Sequence, residues 1–475
     1  MYLQQILSGV CYIARGCGNP DVTSLSCDTS SVRQGCLFFC LKGQKYDGHD
    51  FFRKAIGDGA VAIVCDHPLE TQALQIIVED VRAVMCMAAK NFYGCCVDQL
   101  KIISIVGTNG KTSTSYVLEA ILSKAGYKTA VIGTNGIFFN GQRHDSSLTT
   151  PDPIQLHYWF RQMYLNKVDI VIMEVSAHAI ALHKMEGIVS DIAIFTNFSQ
   201  DHLDFFKTMD SYAKTKKSFF DYKYVRNVIV NIDDELGREI ADNLSCATYS
   251  IKNLADAIAT DIEVGKERSC YKLSAFGQSA VVTTHLAGMF NIYNTLAAAT
   301  CALSIGVDID TVTSSIEDVE CVSGRNETLI RSDGARIVVD FAHTPDGIQN
   351  ILSFLKNTTE GKLIVVFGCG GNRDKFKRPL MAEKVSQFAD FAILTNDNPR
   401  YEDPKLIARD VSERLTCRYK VVLNRSQATE YALSIATGAD TVAILGKGAE
   451  EYQEIRGRKF PYSDVEVVRN LLRIE

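Results

Sequence analysis

Short apolar runs alternate with longer polar or amphipathic stretches along most of this 475-residue chain. The run Ile102–Val106 predicts a buried strand, and the stretch Ser115–Ala125 that follows has the apolar spacing of a helix. Because this alternation is repeated, it favours a largely parallel sheet flanked by helices. Segment 250–284 is less helical and predicts a short antiparallel patch, whereas 286–305 predicts an alanine-rich helix. Further strand-like runs between residues 99 and 324 are 168–175, 188–196 and 227–232.

The same pattern divides the chain into three regions. Before residue 98 it predicts two short strands, 36–41 and 60–65, with a turn segment between them. From residue 325 onwards strands and helices alternate again, as in a Rossmann-like domain. We therefore expect an α/β protein with a small N-terminal α/β domain (1–98), a central P-loop-type parallel-sheet domain (99–324) and a C-terminal Rossmann-like domain (325–475). The predicted C-terminal strands are 336–341, 362–367, 391–395, 420–423 and 441–445.

Composition and charge narrow the classes of function. The net charge is −6 and there is no dense Lys/Arg tract, so neither a nucleic-acid partner nor a membrane surface is expected. No apolar run has the length of a membrane span, and the first five residues contain no charged leader. We expect a cytoplasmic monomer that acts on small-molecule substrates.

The fifteen cysteines do not follow a disulfide or zinc pattern. Their number is odd, no two are spaced as C-x-x-C, and nine of them lie before residue 97. Cys36, Cys40, Cys65 and Cys86 lie inside apolar segments. We expect small buried thiols in a reducing compartment rather than a disulfide framework or a structural metal site.

A glycine-rich segment, Gly107-Thr108-Asn109-Gly110-Lys111-Thr112-Ser113, follows the strand-like run 102–106 directly. Its glycines allow a tight turn whose N–H groups point into one concavity at the start of the predicted helix. Lys111 supplies a charge for the β- and γ-phosphates, and the Thr112 hydroxyl suits Mg²⁺. The usual spacing has glycine where this chain has Ile105, and the alternative interpretation is an ordinary glycine turn. With lysine and threonine in register, the segment predicts the use of a nucleoside triphosphate.

Polar side chains follow two later strands of the same region. Glu174 lies at the end of the run 168–175, where a carboxylate beside a phosphate loop can hold Mg²⁺ directly or through water. The next run is followed by Asp201-His202-Leu203-Asp204. Asp201 is either a helix cap or part of a nucleotide site, and His202 is the stronger candidate for the site.

Several motifs occur in a fixed order along the chain. In the central region they are Gly107–Thr112, Glu174-Val175-Ser176, Thr196-Asn197 with the segment 201–204, and Phe290-Asn291-x-x-Asn294. The C-terminal motifs are the segments 339–347, 367–374 with 377–379, and 397–400. Together they resemble the ATP-dependent Mur ligases, which build the peptide stem of bacterial cell-wall precursors. The resemblance covers nearly the whole chain and implies a UDP-substrate-binding N-terminal domain, a central ATPase domain and a C-terminal amino-acid-binding domain.

The resemblance implies ATP as a substrate, Mg²⁺ as a cofactor, and catalytic roles for Lys111, Glu174, His202 and Lys216. Thr112 and Glu174 are expected to bind one Mg²⁺, and His202 and Lys216 to serve a second. Lys216 matches the family lysine that becomes carbamylated, a change that turns an ammonium into a carboxylate-like ligand, whereas Lys214 and Lys217 are expected at the surface. The implied ATP contacts are Gly107, Thr108, Asn109, Gly110, Lys111, Thr112, Ser113, Asn291, Arg325 and Asp340, with His343 nearby.

The ATP contacts expected at Arg325 and at the asparagines of segment 290–294 need a further remark. Arg325 is expected at a domain junction, from which it would reach the phosphates once the domains close. For Asn291 and Asn294, helix capping after Gly288 is the alternative to nucleotide contact.

By the same resemblance, the UDP-linked substrate is expected at Thr29, Gln44, Lys45, Tyr46, Thr149, Thr150, Ser176 and Lys184. The chain departs from the family pattern at Ser30, Leu182, Lys184, Asn372 and Ala449. Thr29 keeps a hydroxyl and Lys184 keeps a charge. Leu182 loses two hydrogen-bonding groups, which costs about 1 kcal/mol or more if a buried partner is left unpaired.

The segment Asp397-Asn398-Pro399-Arg400 is expected to carry the choice of amino acid. A guanidinium holds a carboxylate through two parallel hydrogen bonds, which a lysine ammonium does not imitate. Diaminopimelate has one carboxylate more than lysine, so Arg400 favours diaminopimelate; an exposed loop arginine is the alternative. The implied diaminopimelate contacts are Arg373, Asp397, Asn398, Pro399, Arg400, Gly446 and Glu450.

The expected function is therefore ATP-dependent addition of meso-diaminopimelate to the D-glutamate side-chain carboxylate of UDP-N-acetylmuramoyl-L-alanyl-D-glutamate, through an acyl phosphate. This is a step of peptidoglycan precursor synthesis. One alternative is a relative that keeps the ATP chemistry but joins a different carboxylate and amine. Another is a nucleotide-binding regulator that has lost turnover. A folylpolyglutamate synthetase is disfavoured, because that relative has no need for the segment 397–400.

Overall fold

The computed structural model describes residues 1–43, 46–146 and 148–473. They divide into two compact units, each assembled from several stretches of the chain. The first unit consists of Met1–Ser104, Tyr127–Ala193 and Thr215–Asn227. The second unit consists of Ile105–Gly126, Ile194–Lys214 and Val228–Glu475.

The elements alternate along the chain as the apolar pattern predicted. The strands are β1 (Ile13–Arg15), β2 (Ser24–Ser26), β3 (Cys36–Phe39), β4 (Ala60–Cys65), β5 (Gln75–Ile77), β6 (Lys101–Val106), β7 (Thr129–Gly133), β8 (Gly136–Phe139), β9 (Gln142–His144), β10 (Ile170–Val175), β11 (Ser190–Phe195), β12 (Val225–Asn231), β13 (Ala247–Ser250), β14 (Ala257–Val264), β15 (Ser269–Ala275), β16 (Gln278–Thr284), β17 (Glu327–Ile330), β18 (Arg336–Asp340), β19 (Leu363–Phe367), β20 (Phe391–Leu394), β21 (Tyr419–Val421), β22 (Thr441–Leu445), β23 (Tyr452–Ile455) and β24 (Arg458–Pro461).

Sixteen α-helices are found in the described part of the chain. They are α1 (Leu3–Ile6), α2 (Phe52–Gly57), α3 (Val81–Phe92), α4 (Lys111–Lys124), α5 (Pro153–Leu165), α6 (Ala177–Ala181), α7 (Leu203–Phe206), α8 (Met209–Ser218), α9 (Glu235–Asn243), α10 (Met289–Ser304), α11 (Ile309–Asp318), α12 (Pro345–Thr358), α13 (Lys377–Phe388), α14 (Pro404–Ser412), α15 (Arg425–Ile435) and α16 (Asp464–Leu472). No described helix combines the length and the apolar character that crossing a membrane requires.

The first unit contains a five-stranded sheet in the order β1-β5-β4-β3-β2. Strands β2 to β5 are parallel, and β1 is antiparallel to β5. One face of this sheet packs on α1 and α3 through a cluster that includes Leu37, Val64 and Met85. The strands predicted at 36–41 and 60–65 are thus β3 and β4.

Other strands of the first unit run in the order β11-β6-β10-β7-β8-β9. Strands β10 and β7 are parallel, and β7, β8 and β9 form antiparallel pairs. Every residue of β10 is buried. Because parallel strands present their carboxyl ends at one edge of a sheet, the end of β10 is where a functional side chain is expected.

In the second unit the strands run in the order β16-β15-β14-β13-β12-β11-β6. Strands β14, β15 and β16 form an antiparallel meander, which confirms the antiparallel patch predicted at 250–284. The helix predicted at 286–305 is α10. The helix predicted at Ser115–Ala125 is α4, but it begins at Lys111, because the glycine turn before it already has its N–H groups directed along the helix.

The second unit also contains a six-stranded sheet in the order β17-β18-β22-β19-β20-β21. All its strands are parallel except β17. Side chains of β18 alternate between two hydrophobic clusters, with Val338 in one cluster and Ile337 and Val339 in the other. The first cluster includes residues of α12, α13 and α14, and the second includes residues of α15 and α16. Helices therefore cover both faces, which confirms the Rossmann-like pattern predicted for the C-terminal strands.

All fifteen cysteines are free thiols, and Cys36, Cys40, Cys65 and Cys86 are buried. Burial raises the pKa of Cys40 and of Cys86 to about 12 in each case. The prediction that these four thiols are buried is therefore confirmed.

Candidate active site

The glycine-rich loop lies in the second unit, between β6 and α4. Gly107 and Gly110 are required there because neighbouring side chains approach their Cα atoms closely. A Cβ at Gly107 would lie 1.8 Å from Thr196 Oγ1, and one at Gly110 would lie 2.4 Å from Asn294 Oδ1. Gly110 also has a φ of +85°, which favours glycine. The loop is thus held against the end of β11 and the first turns of α10.

Lys111 and Arg325 bring two positive charges to this loop. Lys111 Nζ donates two hydrogen bonds of 2.8 Å to main-chain oxygens within the loop. Arg325 Nη2 donates to Thr112 Oγ1 at 3.0 Å, and both Thr112 and Ser113 are buried in the first turn of α4. Phosphate oxygens are favoured where cations and helix N–H groups converge. The contacts of these residues with a nucleotide remain predictions.

Asn109 connects the loop to two other segments of the second unit. Its main-chain N donates to Asn197 Oδ1 at 2.9 Å, and Asn197 Nδ2 donates to Asn109 O at 3.0 Å. Asn109 Nδ2 donates to Asp346 Oδ2 at 2.9 Å, and burial raises the pKa of Asp346. Thr108 Oγ1 donates to Ser199 O at 3.2 Å. The turn is therefore fixed by side chains that follow β11 and by the first turn of α12.

Asn291 and Asn294 lie on α10, and neither caps it. Asn291 Nδ2 donates to Ala287 O at 3.0 Å, and Asn294 Nδ2 donates to Asn291 Oδ1 at 3.0 Å. The residue before α10 is Gly288, and no side chain caps the helix there. The capping alternative is therefore wrong. Asn294 instead lies against the phosphate loop, beside Gly110.

Asp340 lies at the end of β18, where it shapes the turn that follows. Its Oδ2 accepts a hydrogen bond of 2.7 Å from Asn326 N, and its Oδ1 accepts one of 2.7 Å from Ala342 N. Burial raises the pKa of Asp340. Since Asn326 is the neighbour of Arg325, the carboxylate holds in place the segment that carries Arg325.

Asp201 is the centre of a charged cluster in the second unit. Lys377 Nζ lies 3.2 Å from Asp201 Oδ1, and His202 Nε2 lies 3.2 Å from Asp201 Oδ2. His343 Nε2 lies 3.7 Å from the same Oδ2. Burial by itself would raise the pKa of Asp201, but these positive groups outweigh it and hold the pKa well below the ordinary value. Asp201 Oδ1 also accepts a hydrogen bond of 2.9 Å from the main-chain N of His202, the residue before α7, although no side chain caps the first turn of that helix.

Glu174 lies in the first unit, at the carboxyl end of β10. Its Oε1 accepts a hydrogen bond from Thr134 N at 3.0 Å, and its Oε2 accepts one from Thr134 Oγ1 at 3.0 Å. The side chain is buried, and a Cβ at Gly133 would lie 2.2 Å from Glu174 Oε1. A carboxylate held by two donors in this way has the donor atoms that Mg²⁺ prefers.

Lys216 also lies in the first unit, near the end of α8. It is completely buried, whereas Lys214 and Lys217 are exposed. This difference agrees with the expectation that Lys214 and Lys217 are surface charges. The four predicted metal ligands are thus distributed between the units, with Glu174 and Lys216 in the first and Thr112 and His202 in the second.

Four of the residues expected to contact the UDP-linked substrate lie together in the first unit. Thr150 Oγ1 donates to Glu174 O at 2.9 Å and accepts a hydrogen bond from Ser176 N at 3.0 Å. Lys184 Nζ donates to Thr150 O at 3.3 Å and pairs with Asp152 Oδ1 at 2.8 Å. Thr149 joins the group, since its hydroxyl lies 3.1 Å from that of Thr134, the residue that holds Glu174.

The remaining candidates for this substrate are less closely connected. Thr29 begins a short 3-10 helix, Thr29–Ser31, which Asp28 caps by accepting a hydrogen bond from Ser30 N at 2.9 Å. Tyr46 is 72% exposed. Gln44 and Lys45 lie outside the described residues.

The residues expected to bind the amino acid converge at the carboxyl ends of β20 and β22. Asn398 Nδ2 donates to Glu450 Oε2 at 2.9 Å, and Lys447 Nζ lies 3.2 Å from Asn398 Oδ1 and 2.6 Å from Glu450 Oε2. Gly446 has a φ of +114°, and a Cβ there would lie 2.9 Å from Asp397 Oδ2. Burial opposes ionisation of Asp397, but Lys447 and Arg425 outweigh it and lower its pKa.

Two arginines border this group. Arg400 Nη1 donates to Gly371 O at 3.0 Å, and a Cβ at Gly370 would lie 3.0 Å from Arg400 Nη1 and 3.7 Å from Arg373 Cγ. Burial and the charge of Arg400 lower the pKa of Arg373. Pro399 is the residue before Arg400, and Arg400 has a φ of +51°. Two arginine side chains are therefore neighbours close to Asp397. Guanidinium groups bind carboxylates, and the role of these arginines toward an amino acid stays a prediction.

The sequence patterns did not give roles to three residues of these clusters. In the sequence, Lys377 belonged only to the motif segment 377–379 and had no role of its own. In the structure it pairs with Asp201. Asp346 follows Pro345 at the start of α12, a position where an acidic residue also suits the helix dipole. Glu454 lies on β23, and its pairing with Arg400 has no local signal, because 54 positions separate the two residues.

The glycine-rich loop, its lysine and the parallel sheets around it define a nucleotide-binding α/β enzyme. This chain belongs to the Mur ligase family. The Mur ligase middle domain matches residues 105–302, the glutamate ligase domain of Mur ligases matches 324–448, and the catalytic domain of the Mur ligase family matches 21–93.

Individual relatives agree with this assignment. The chain is 41% identical over 459 residues to a Bacillus velezensis protein named UDP-N-acetylmuramoyl-L-alanyl-D-glutamate–2,6-diaminopimelate ligase, with 94% of each chain covered. A solved structure of a ligase with the same name has a TM-score of 0.69 and 30% identity, and covers 100% of this chain and 99% of its own. The MurF ligase of Thermotoga maritima in complex with ADP shares the fold, with a TM-score of 0.64, 17% identity, and 95% and 97% of the two chains covered.

Proposed function

We propose that this chain is an ATP-dependent, ADP-forming ligase. It joins meso-diaminopimelate to the D-glutamate side-chain carboxylate of UDP-N-acetylmuramoyl-L-alanyl-D-glutamate, in peptidoglycan precursor synthesis. The full-length relatives that carry this activity in their names support the proposal. The observation that carries it is the placement of Arg373 and Arg400 beside Asn398 and Glu450, since this set offers cations for two carboxylates and an anion for an ammonium.

The chemistry requires a carboxylate to be made electrophilic. A carboxylate oxygen of D-glutamate attacks the γ-phosphorus of ATP, the bond to the β-phosphate oxygen breaks, and ADP leaves. The amine of diaminopimelate then attacks the acyl carbon, phosphate leaves with the bonding electrons, and the nitrogen loses a proton as the amide forms. Lys111 and Arg325 neutralise charge on the phosphoryl group that is transferred. Asn109, Asn291 and Asp340 complete the ATP contacts of the proposal, together with Gly107, Thr108, Gly110, Thr112 and Ser113.

Mg²⁺ fits the donor set available for it. In the proposal, the hydroxyl of Thr112 and the carboxylate of Glu174 hold one ion, and His202 and Lys216 serve a second. When bound, Mg²⁺ supplies positive charge to the phosphate oxygens. Lys216 takes part as a carbamate, since burial of an ammonium is costly and carbamylation replaces it with an anionic oxygen donor.

The UDP-linked substrate is proposed to bind the first unit. This is supported by four candidate residues that lie near the carboxyl end of β10, next to Glu174: Thr149, Thr150, Ser176 and Lys184. Thr29, Gln44, Lys45 and Tyr46 are proposed to contact the nucleotide end of the substrate. The proposed domains are 1–98, 99–324 and 325–475, and their ranges are supported by the three matched family segments.

We further propose that the enzyme acts as a cytoplasmic monomer. ATP and UDP-linked precursors are cytoplasmic metabolites, and all residues invoked in the reaction belong to one chain.

A phosphate-release assay tests the proposed function. Purified protein, ATP, Mg²⁺ and the UDP-muramoyl dipeptide are combined with meso-diaminopimelate, lysine or ornithine. We expect the highest kcat/KM with diaminopimelate and no release from Lys111→Ala. A preference for lysine would contradict the assignment of substrate. The product should gain the mass of one diaminopimelate residue.

A relative that joins another carboxylate and amine is the second candidate. It is favoured by Lys184, which is already paired with Asp152, and by Leu182, which has no polar group for the substrate. Phosphate release with another acceptor, and none with the muramoyl dipeptide, would support this candidate. Absence of ATP hydrolysis with every acceptor would instead support a nucleotide-binding regulator.

A further inference from the structure

Two histidines and an aspartate form a cluster in the first unit that the proposed ligase chemistry does not use. His49 lies in the 3-10 helix Gly48–Phe51, and Asp66 and His67 follow β4 directly. One ligand atom from each of the three residues can be chosen so that all three atoms lie within 4.8 Å of one another. His49 is buried, whereas the two residues after β4 are exposed. The cluster therefore lies at the surface, with one ligand fixed in the interior.

The oxygen Asp66 Oδ1 lies between two imidazole rings. His49 Nε2 is 3.2 Å from this oxygen, and His67 Nδ1 is 2.5 Å from it. The two rings are stacked, with centroids 4.5 Å apart and an interplanar angle of 28°. One nitrogen of each ring thus lies close to the same carboxylate oxygen of Asp66.

A fourth residue, Asp47, selects the tautomer of His49. The atom His49 Nδ1 lies 2.6 Å from Asp47 Oδ1, so in the neutral ring Nδ1 carries the proton and donates it to this carboxylate. The lone pair of Nε2 then faces the Asp66 residue, whose main-chain N donates to it at 3.4 Å and whose Oδ1 lies 3.2 Å away, so this ring nitrogen is free of its own proton and can serve as a metal ligand. Metal-bound histidines commonly have a carboxylate on their second nitrogen in this way.

We propose that His49, Asp66 and His67 bind a divalent transition-metal ion, of which Zn²⁺ is the best match. Two imidazole nitrogens and one carboxylate oxygen are a ligand set that Zn²⁺ accepts, with a fourth position left for water. Mg²⁺ and Ca²⁺ prefer oxygen ligands, so this site is chemically distinct from the proposed Mg²⁺ positions at the phosphate loop. Asp47 positions His49 without touching the ion.

The ion would connect two segments of the N-terminal sheet region. His49 comes three residues after Tyr46, in the turn segment between β3 and β4, and the other two ligands extend from the end of β4. Binding would link this turn to a strand whose last four residues are buried. The consequence is a more stable first unit, because an ion that binds only the folded protein stabilises it by mass action. This role is independent of the proposed ligase activity.

Titration of the full-length protein with Co²⁺ and Zn²⁺ in excess Mg²⁺ tests the proposal. We expect about one Co²⁺ per chain, visible d–d absorption of a four- or five-coordinate ion, and displacement of Co²⁺ by Zn²⁺. No thiolate-to-metal charge-transfer band should accompany it, which separates this site from the fifteen free cysteines. Zn²⁺ should also raise the unfolding temperature of the protein.

Variants locate the ion. His67→Ala and Asp66→Asn remove exposed ligands, and each should weaken binding by at least about tenfold. Asp47→Asn keeps an acceptor oxygen for His49 but removes the charge, and we expect about tenfold weaker binding with the same spectrum. The matched control is His183→Ala, because His183 is an exposed histidine that lies 3.9 Å from Asp80 Oδ2 and, among the described residues, belongs to no group of three potential metal ligands. The His183→Ala variant should bind Co²⁺ as tightly as the unaltered protein does.

Three outcomes would overturn the proposal. They are the absence of saturable Co²⁺ binding in excess Mg²⁺, affinity unchanged by both His67→Ala and Asp66→Asn, and a spectrum dominated by thiolate ligands. In the first case the hydrogen bonds of His49 with Asp47 and Asp66 would by themselves account for the cluster. Phosphate release by the ligase assay reports on the proposed function separately, so failure of one inference is distinguishable from failure of the other.

Discussion

Arg400 Nε lies 3.0 Å from Glu454 Oε2, and this ion pair orients the guanidinium group proposed to recognise the amino acid. The main chains also pair here, since Arg400 N donates to Glu454 O at 3.1 Å and Arg456 N donates to Arg400 O at 2.7 Å. Arg400 Nη1 donates to Gly371 O at 3.0 Å and to Asn398 O at 3.5 Å. We expect the Nη2 edge to be the one that meets a substrate carboxylate.

Replacement of Glu454 should disturb recognition of the amino acid without affecting ATP. In Glu454→Gln the ion pair is replaced by a weaker hydrogen bond from the charged guanidinium to a neutral amide oxygen, so Arg400 is held less firmly. We expect KM for diaminopimelate to rise about 3- to 10-fold, with kcat and KM for ATP nearly unchanged, in steady-state phosphate release. The control is Glu413→Gln, which breaks an exposed Arg–Glu pair in the same unit. An unchanged or lower KM for diaminopimelate in Glu454→Gln would contradict this positioning role.

Replacement of Arg400 itself should have a larger effect. Arg400→Lys keeps the charge but loses the planar pair of donors, and lysine cannot reproduce the contacts to both Glu454 and a substrate carboxylate. We expect kcat/KM for diaminopimelate to fall at least about tenfold, the equivalent of about 1.4 kcal/mol, while the dissociation constant for ATP changes little. The two constants are measured by phosphate release and by nucleotide titration. An equal loss for both ligands would mean that Arg400 acts at the nucleotide.

Removal of the Asp201 charge should reduce stability in a pH-dependent way. The folded-state pKa of Asp201 lies well below its ordinary value, so its stabilising contribution is present above about pH 4 and is lost as the pH falls through the folded-state pKa. Asp201→Asn leaves Lys377 buried without its partner, which should lower the free energy of unfolding by about 3 kcal/mol at pH 7.

Urea unfolding at pH 7 and at pH 3 measures this effect. The difference between the unaltered protein and Asp201→Asn should be smaller at the lower pH. The control is Asp318→Asn, because the pair between Asp318 and Lys124 is exposed and should contribute less than about 1 kcal/mol. An equal difference for Asp201→Asn at both pH values would contradict the ion-pair explanation.

Burial should protect Cys40 and Cys86 of the N-terminal region from alkylation. The pKa of Cys40 and of Cys86 is raised to about 12, whereas Cys11 and Cys17 are exposed. Because the thiolate is the reactive form, we expect Cys11 and Cys17 to react with iodoacetamide at pH 8 at least about 100-fold faster than Cys40 and Cys86. Time-resolved peptide mass spectrometry measures the four rates. Comparable rates in the folded protein would show that the N-terminal sheet opens readily, and urea should abolish the difference.

The elements that the sequence predicted well are those specified by neighbouring residues. The strand at 441–445 and the glycine loop before α4 depend on apolar periodicity and on local backbone freedom, and the structure has both. The strand predicted at 188–196 is shorter in the structure, Ser190–Phe195, because periodicity does not mark where sheet pairing ends. Short strands such as β1 and β5 were not predicted, because three residues carry too little pattern.

The candidate site likewise contains residues that the sequence predicted and contacts that it did not. The residues of the phosphate loop and the segment 397–400 were visible as motifs, because their side chains follow strands within a few positions. The residues that pair with them in the structure could not be identified from the sequence. Asp201 had two interpretations in the sequence, and neither of them included its ion pair with Lys377, which is 176 positions away.

The amino-acid sequence by itself determined the α/β alternation, the phosphate loop and the chemical types of the candidate residues, since each depends on contacts between near neighbours. Only the tertiary structure decided which polar side chains meet: Arg400 with Glu454, Arg325 with Thr112, and His49 with Asp66. The physical reason is that such pairs follow from strand order and helix packing. Those are set by the burial of the whole apolar surface and not by any short segment.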